Sequence, residues 1–217
     1  MSEFIEKFWQ LKLVDVKQAL EKNNFQVFIA KNEEIAKEFI LAEIIAKHNP
    51  ASISWGGSLT FIQTKLYHFF KQNKNFKIID TYDKTISPEE MLENRRKSLL
   101  VDLYFTGTNA ITENGWLVNL DMIGNRVGAL SFGPKKVVVI AGRNKIVKDL
   151  DDAIVRIKNY SAPANVMRLN KKTPCLDIGK CVDCSSPDRI CNVWTIMEKC
   201  YPKHRVCVVI IDKELGL

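Results

Sequence analysis

The sequence predicts an α/β protein built on an open, mostly parallel sheet with helices on both faces. Short apolar runs alternate with amphipathic segments along the chain, the pattern of strand–helix–strand units. One run, KKVVVIAG at 135–142, is uniformly apolar, as a parallel strand buried on both faces must be. SISWGGSLT at 52–60 places glycines where a buried strand hands over to a helix.

The elements follow in order. Residues 3–23 carry Phe4, Phe8, Leu11, Val14 and Gln18 at helical spacing, with Leu13, Val16 and Leu20 widening the stripe. FQVFIA is a short strand, and residues 32–49 form a helix with acids in its first turn. A strand, a glycine turn and a helix fill 51–73, and FKIIDTY is the next strand. Ser87 caps the helix that follows, with Pro88 at its first position and Glu90 completing a capping box. VDLYFTG is a strand, and AITENGWLVNL is a hairpin whose Asn114-Gly115 pair signals a type I′ turn. A short helix covers GNRVGALSFG, Asp149 caps the helix at 150–160, CNVWTIMEKC is read as a helix, and RVCVVIID is the last strand. Residues 1–34 form an N-terminal helical segment with a first short strand. Residues 35–217 form the α/β domain, with a Cys-rich loop at 174–191.

Composition bounds the function. In 217 residues, 46% hydrophobic and 26% charged describe an ordinary globular chain. Such a chain is large enough to build a core without disulfides. No apolar stretch reaches the length of a membrane span, and the mixed-charge N-terminus lacks a signal-peptide core. The expectation is a cytoplasmic protein, in which clustered thiols stay reduced and serve metal binding or catalysis. The net charge of +7 sits in residues 135–217. Its lysines and arginines are scattered and carry no nucleic-acid fingerprint, which argues against such a partner. Most are surface residues, while Lys171, Lys172, Lys180 and Arg189 stand close in sequence to the cysteines and would offset thiolate charge.

Three segments could face a ligand. Gly56, Gly57, Ser58 and Thr60 lie at a strand–helix junction, where open backbone suits an anion, although a plain tight turn with Ser58 as N-cap explains them equally well. The block 106–126 holds Thr106, Gly107, Asn109, Glu113, Asn119, Asp121, Asn125 and Arg126 among apolar residues. Glu113, shielded by Trp116, is the first candidate for a general base and Arg126 for an anion clamp, so Glu113→Gln should remove turnover. Asp121 and Arg126 also read as a helix-start acid and its ion-pair partner. Gly142, Asn144 and Lys145 end the uniformly apolar strand, at the strand edge where ligands of open α/β sheets collect.

Cys175, Cys181, Cys184 and Cys191 are spaced C-x5-C-x2-C-x6-C. The C-x2-C pair lets two sulfurs face one ion, and two further thiols complete four ligands for tetrahedral zinc or a [4Fe–4S] cluster. The alternatives for these four cysteines are an empty redox-sensing thiol cluster, a disulfide pair or simple packing; Cys207 lies in an apolar strand and packs, and Cys200 either packs as well or serves as a spare ligand.

WGGSLT, GTNAITENGWLVNLDMIGNRVGAL, FGPKKVVVIAGRNKIVKDLDDAIVRI, APANVMRLN and PCLDIGKCVDCSSPDRIC together resemble the lactate-utilisation (LUD) domain family, from about Ile35 to the terminal LGL. The resemblance implies a fold related to the ribose-5-phosphate isomerase, glucosamine-6-phosphate deaminase and CoA-transferase group, with a substrate crevice above the strand ends. It further implies organic-acid metabolism, a small anionic metabolite or nucleotide as ligand, iron–sulfur redox partner proteins, and a [4Fe–4S] centre in preference to zinc. The alternatives are an isomerase- or acyl-transferase-like enzyme of the same fold with structural zinc, and a non-catalytic scaffold.

Overall fold

The structure, a computed structural model, describes residues 3–217. Its elements in chain order are α1 (Glu3–Lys22), β1 (Gln26–Ala30), α2 (Glu33–Phe39), α3 (Ala46–His48), β2 (Ser52–Trp55), α4 (Leu59–Gln63), α5 (Leu66–Gln72), β3 (Lys77–Ile79), α6 (Pro88–Lys97), β4 (Leu103–Thr106), β5 (Ala110–Thr112), β6 (Leu117–Asp121), α7 (Asn125–Ser131), β7 (Lys136–Gly142), β8 (Ile146–Val147), α8 (Leu150–Arg156), α9 (Ala162–Leu169), α10 (Cys175–Ile178), β9 (Val193–Met197) and β10 (Val206–Ile211). Wide π turns, Ile40–Ile45 and Ile157–Ser161, join α2 to α3 and α8 to α9.

Six strands form one parallel sheet in the order β1-β10-β7-β4-β2-β3. Side chains alternate across a strand, so each face draws every second residue. Val137, Val139, Val206 and Val208 face Leu13, Val16 and Leu20 of α1. Val138, Ile140, Cys207 and Val209 face Ala36, Ile40, Phe61 and Phe70 on the other side. Every residue of β7 and β10 is buried, which is why the sequence shows no polar alternation there. Each such side chain contributes roughly 1.5–3 kcal/mol of hydrophobic stabilisation. The first 34 residues supply α1 to one core and β1 to the edge of this sheet.

A second sheet, β8-β5-β6-β9, packs Ile111, Leu117 and Ile146 onto the α1 side of the core. Its opposite face meets Ala153 and Ile157 of the α8 region.

Three local expectations are corrected. Residues 191–200 are not a helix: Val193–Met197 pair antiparallel with β6, where β-branched and aromatic residues suit an extended edge. The hairpin turn is not type I′, because only Gly115 of the Asn114-Gly115 pair has positive φ, at 81°. Residues 113–115 instead form a three-residue loop, and the Asn114 side chain accepts a hydrogen bond from Thr112 Oγ1. On α1, Leu13, Val16 and Leu20 are buried, whereas Phe4, Phe8 and Leu11 are 74%, 53% and 61% exposed. Val14 is also 47% exposed while Trp9 packs against the core, so the stripe splits by face: Trp9, Leu13, Val16 and Leu20 turn inward and the Phe4–Phe8–Leu11–Val14 line turns outward.

Candidate functional site

The carboxyl ends of β2, β4 and β7 deliver three loops to one edge of the parallel sheet: 56–58, 107–109 and 143–145. Gly107 lets two of them touch, since a Cβ there would stand 2.9 Å from Ser58 Oγ. Ser58 caps α4 by accepting from Phe61 N at 3.1 Å. Tyr82, just beyond β3, clamps the glycine turn: its Oη donates to Gly56 O at 2.6 Å and accepts from Ser58 N at 3.0 Å. Burial pushes the Tyr82 phenol up to about 12, so it keeps the proton it donates.

Around Gly107–Asn109 three cations converge. Arg126 Nη1 donates to Asn119 Oδ1 at 3.0 Å and to Gly107 O at 3.4 Å, and its Nη2 donates to Asn109 Oδ1 at 2.8 Å and to Leu120 O at 3.0 Å. Arg156 Nη1 donates to Asn109 O at 2.8 Å, and its Nε to Asn144 O at 3.2 Å. Lys145 Nζ donates to Thr108 O at 3.0 Å and is 5% exposed. The only carboxylate paired with any of the three, among the described residues, is Asp121, whose Oδ1 lies 3.5 Å from Arg126 Nε. A buried cation without a counter-charge tends to shed its proton. Burial, reinforced by Arg156 and Arg126, pushes the Lys145 amine down to about 7. Thr60 Oγ1 and Asn119 Nδ2 are buried here without hydrogen-bond partners.

The remaining predicted residues fall in three places. Thr106 is buried and donates to Gly107 O, and Asn125 opens α7 one residue before Arg126. Gly142 and Asn144 meet the C-terminal segment: Leu215 N donates to Asn144 Oδ1 at 3.0 Å, and a Cβ on Gly142 would lie 2.5 Å from Leu215 N. Glu113 is not brought to Arg126. It lies in the β5–β6 turn, whereas Asn109 and Asn119 meet Arg126 at the open end, and Glu113 Oε1 pairs with Lys12 Nζ at 2.6 Å on a half-exposed surface.

The four late cysteines line one small cavity of about 20 Å³ with Lys158, Thr173, Val182 and Arg189. All are free thiols. They surround the cavity without meeting at a point: no three His, Cys, Asp or Glu side chains among the described residues stand close enough to hold a metal ion. Burial pushes the Cys191 thiol up, against the pull of Lys158 and Arg189. Arg189 bridges the lobe, donating from Nε to Cys191 O at 2.9 Å and from Nη1 to Cys184 O. Four thiols around one small volume, with two cations beside them, have the donor chemistry of a thiolate-held metal or cluster but do not, as placed, form its coordination geometry. Cys200 and Cys207 are buried elsewhere, and burial pushes the Cys207 thiol up to about 12, as suits a packing residue.

The family model for the LUD domain matches residues 13–211. The chain belongs to the LUD domain family. A crystal structure of a DUF162 family protein from Deinococcus radiodurans is similar at 11% identity with a TM-score of 0.47, over 93% of this chain and 96% of that one. None of the curated proteins matches the chain. No helix among the described residues of this LUD domain is long and apolar enough to cross a membrane.

Two contributors to the site of this LUD domain escaped the sequence reading. Tyr82 follows β3 at the same carboxyl edge and was legible by the strand-end rule. Arg156 lies between the buried Ala153 and Ile157, so a cation on an inward helix face was its signal. Thr108 lies inside the 106–126 block that the sequence singled out, but it acts through its carbonyl, which no side-chain pattern reveals. Chemically, the edge offers under-compensated positive charge, one amine able to exchange a proton near neutrality, and two polar groups free to bond a ligand.

Proposed function

We propose that this LUD domain binds a small organic anion of the hydroxy- or oxo-carboxylate class at the Gly56–Thr60, Thr106–Arg126 and Gly142–Lys145 edge. We also propose that the four-cysteine lobe holds a metal centre, a [4Fe–4S] cluster in preference to zinc. The family setting in lactate utilisation supports the choice of carboxylate. One observation carries the reading: Arg126, Lys145 and Arg156 converge with Asp121 as the one carboxylate paired against them among the described residues. A carboxylate would supply the missing negative charge and accept from Thr60 Oγ1 and from Lys145. The enclosed setting of Lys145 favours a small metabolite over a nucleotide.

Arg126 acts here as a positioning residue. Its guanidinium donors are occupied by Gly107, Asn109, Asn119, Leu120 and Asp121, so it holds the 107–121 wall and contributes field. Cys175, Cys181, Cys184 and Cys191 would hold the metal centre, and a cluster there would supply one-electron transfer. Lys158 and Arg189 line the same cavity and would offset the charge of metal-bound thiolates. The C-terminal lobe also has its own apolar cluster of Val166, Cys175 and Ile190, which favours a structural zinc as the second reading.

Calorimetric titration with lactate, pyruvate and oxalate tests the anion site. Binding of one equivalent, weakened about tenfold (~1.4 kcal/mol) in Arg156→Gln, is the expected result. Absence of binding by all three rejects it. Metal analysis of anaerobically purified protein separates iron from zinc.

A further inference from the structure

Lys145 stands apart from the other cations of the edge. Arg126 and Arg156 have their donors distributed over several acceptors, whereas Lys145 Nζ has the Thr108 carbonyl as its one hydrogen-bond partner among the described residues. Beside it lies Thr60 Oγ1, fully buried and without a partner. A methyl group placed on Gly216 would stand 2.7 Å from Thr60 Oγ1 and 3.3 Å from Lys145 Nζ. The amine and the hydroxyl therefore flank one spot that the chain leaves without a side chain. The C-terminal segment closes that spot. Leu215 is seated in the core and its N–H bonds Asn144 Oδ1, which brings the Gly216 backbone over Lys145.

We propose that Lys145 is a nucleophilic amine that forms an imine with the carbonyl of a small 2-oxo carboxylate, with Thr60 relaying the proton from nitrogen to the departing oxygen. The proposal rests on the anion-binding reading above and adds a covalent step to it. The lone pair of the neutral amine adds to the carbonyl carbon, forming the N–C bond and moving the C=O π pair onto oxygen. That oxygen takes a proton released by nitrogen, through the Thr60 hydroxyl, to give the carbinolamine. The oxygen then leaves as water with the remaining amine proton, relayed again through Thr60, while the nitrogen lone pair forms the C=N bond, so no oxidant or reductant is required.

Two features of the site favour this chemistry. A desolvated lysine beside other cations holds its lone pair free near neutral pH, which a surface lysine does not. The charged groups facing Lys145 are Arg156 from α8 and Arg126 from α7, and the same two attract the substrate carboxylate. Displacement of the Leu215–Leu217 segment opens the approach, and the substrate takes the place of the Gly216 backbone, with its carbonyl between Thr60 and Lys145 and its carboxylate toward Arg126 and Arg156.

The test uses the full chain with pyruvate and sodium cyanoborohydride, followed by peptide mass spectrometry. The expected result is a reduced pyruvyl adduct on Lys145, formed faster than on any surface lysine. Lys145→Arg should lose the adduct. Pyruvate binding to the wild type with no adduct on Lys145 overturns the imine proposal and leaves the anion site standing. Absence of both binding and adduct overturns both. The wild-type adduct map decides the matter even where Lys145→Arg fails to fold.

Discussion

Replacing Lys145 with methionine removes a buried titrating group while keeping an unbranched apolar stem. The wild-type amine is pushed from 10.5 down to about 7 by burial and by Arg156 and Arg126. Between those values the unfolded chain holds the proton and the folded protein does not, so folding stability rises with pH across that window. Below about pH 7 the folded state is protonated as well, and the full cost of the buried charge is present. A shift of this size corresponds to a cost on the order of 5 kcal/mol. From pH 5 to pH 9 the group should add about 3 kcal/mol to wild-type stability, nearly all of it above pH 7. The methionine variant lacks this dependence, and its lost hydrogen bond to Thr108 O is an offset of about 1 kcal/mol at every pH. Urea unfolding of both proteins at several pH values isolates the lysine as a difference curve. The advantage of Lys145→Met should be greatest in acid and shrink by about 1.4 kcal/mol per unit above neutrality. A flat difference curve would refute the claim that Lys145 is buried without compensation.

Other expectations follow from the same geometry. Arg126→Met leaves Asn109, Asn119 and Asp121 without their donor and should cost about 3–5 kcal/mol, read as a fall of roughly 10 °C in Tm; an unchanged Tm would show that the 107–121 wall does not depend on it. Tyr82→Phe removes the clamp on the glycine turn, and should lower stability by about 1–3 kcal/mol and weaken carboxylate binding in the same titrations. Glu113→Gln breaks only a half-exposed pair with Lys12, so stability should change by less than about 1 kcal/mol and pyruvate affinity should stay constant. Cys184→Ser should lower the metal content of anaerobically prepared protein, whereas Cys207→Ser should leave it intact.

The layered fold was legible because β7 and β10 are buried on both faces and therefore read as uninterrupted apolar runs. The caps at Ser87 and Asp149 were legible because capping is local chemistry, and both side chains accept from the N–H three residues on. Residues 193–197 misled because Val193, Met197 and Cys200 are spaced as on one helix face, and only pairing with β6, far off in sequence, makes the segment a strand. On α1 the apolar stripe is wider than the surface the sheet offers, so the sequence could not say which of its two faces is buried. At the site, the strand-end rule located Gly56, Asn109 and Lys145. It could not separate Glu113, which lies only four residues beyond Asn109, because a hairpin carries its turn away from its open end. Nor could it show that the C-terminal segment returns to cover Lys145, since that contact is a matter of topology.

The central claim is that the carboxyl edge of the parallel sheet receives a small carboxylate between Thr60 and Lys145. A crystal structure grown anaerobically with pyruvate tests it most directly. The account predicts density joined to or touching Lys145 Nζ, within hydrogen-bond distance of Thr60 Oγ1, with the 215–217 segment displaced. Pyruvate bound elsewhere, with that segment still seated over Lys145, would contradict it.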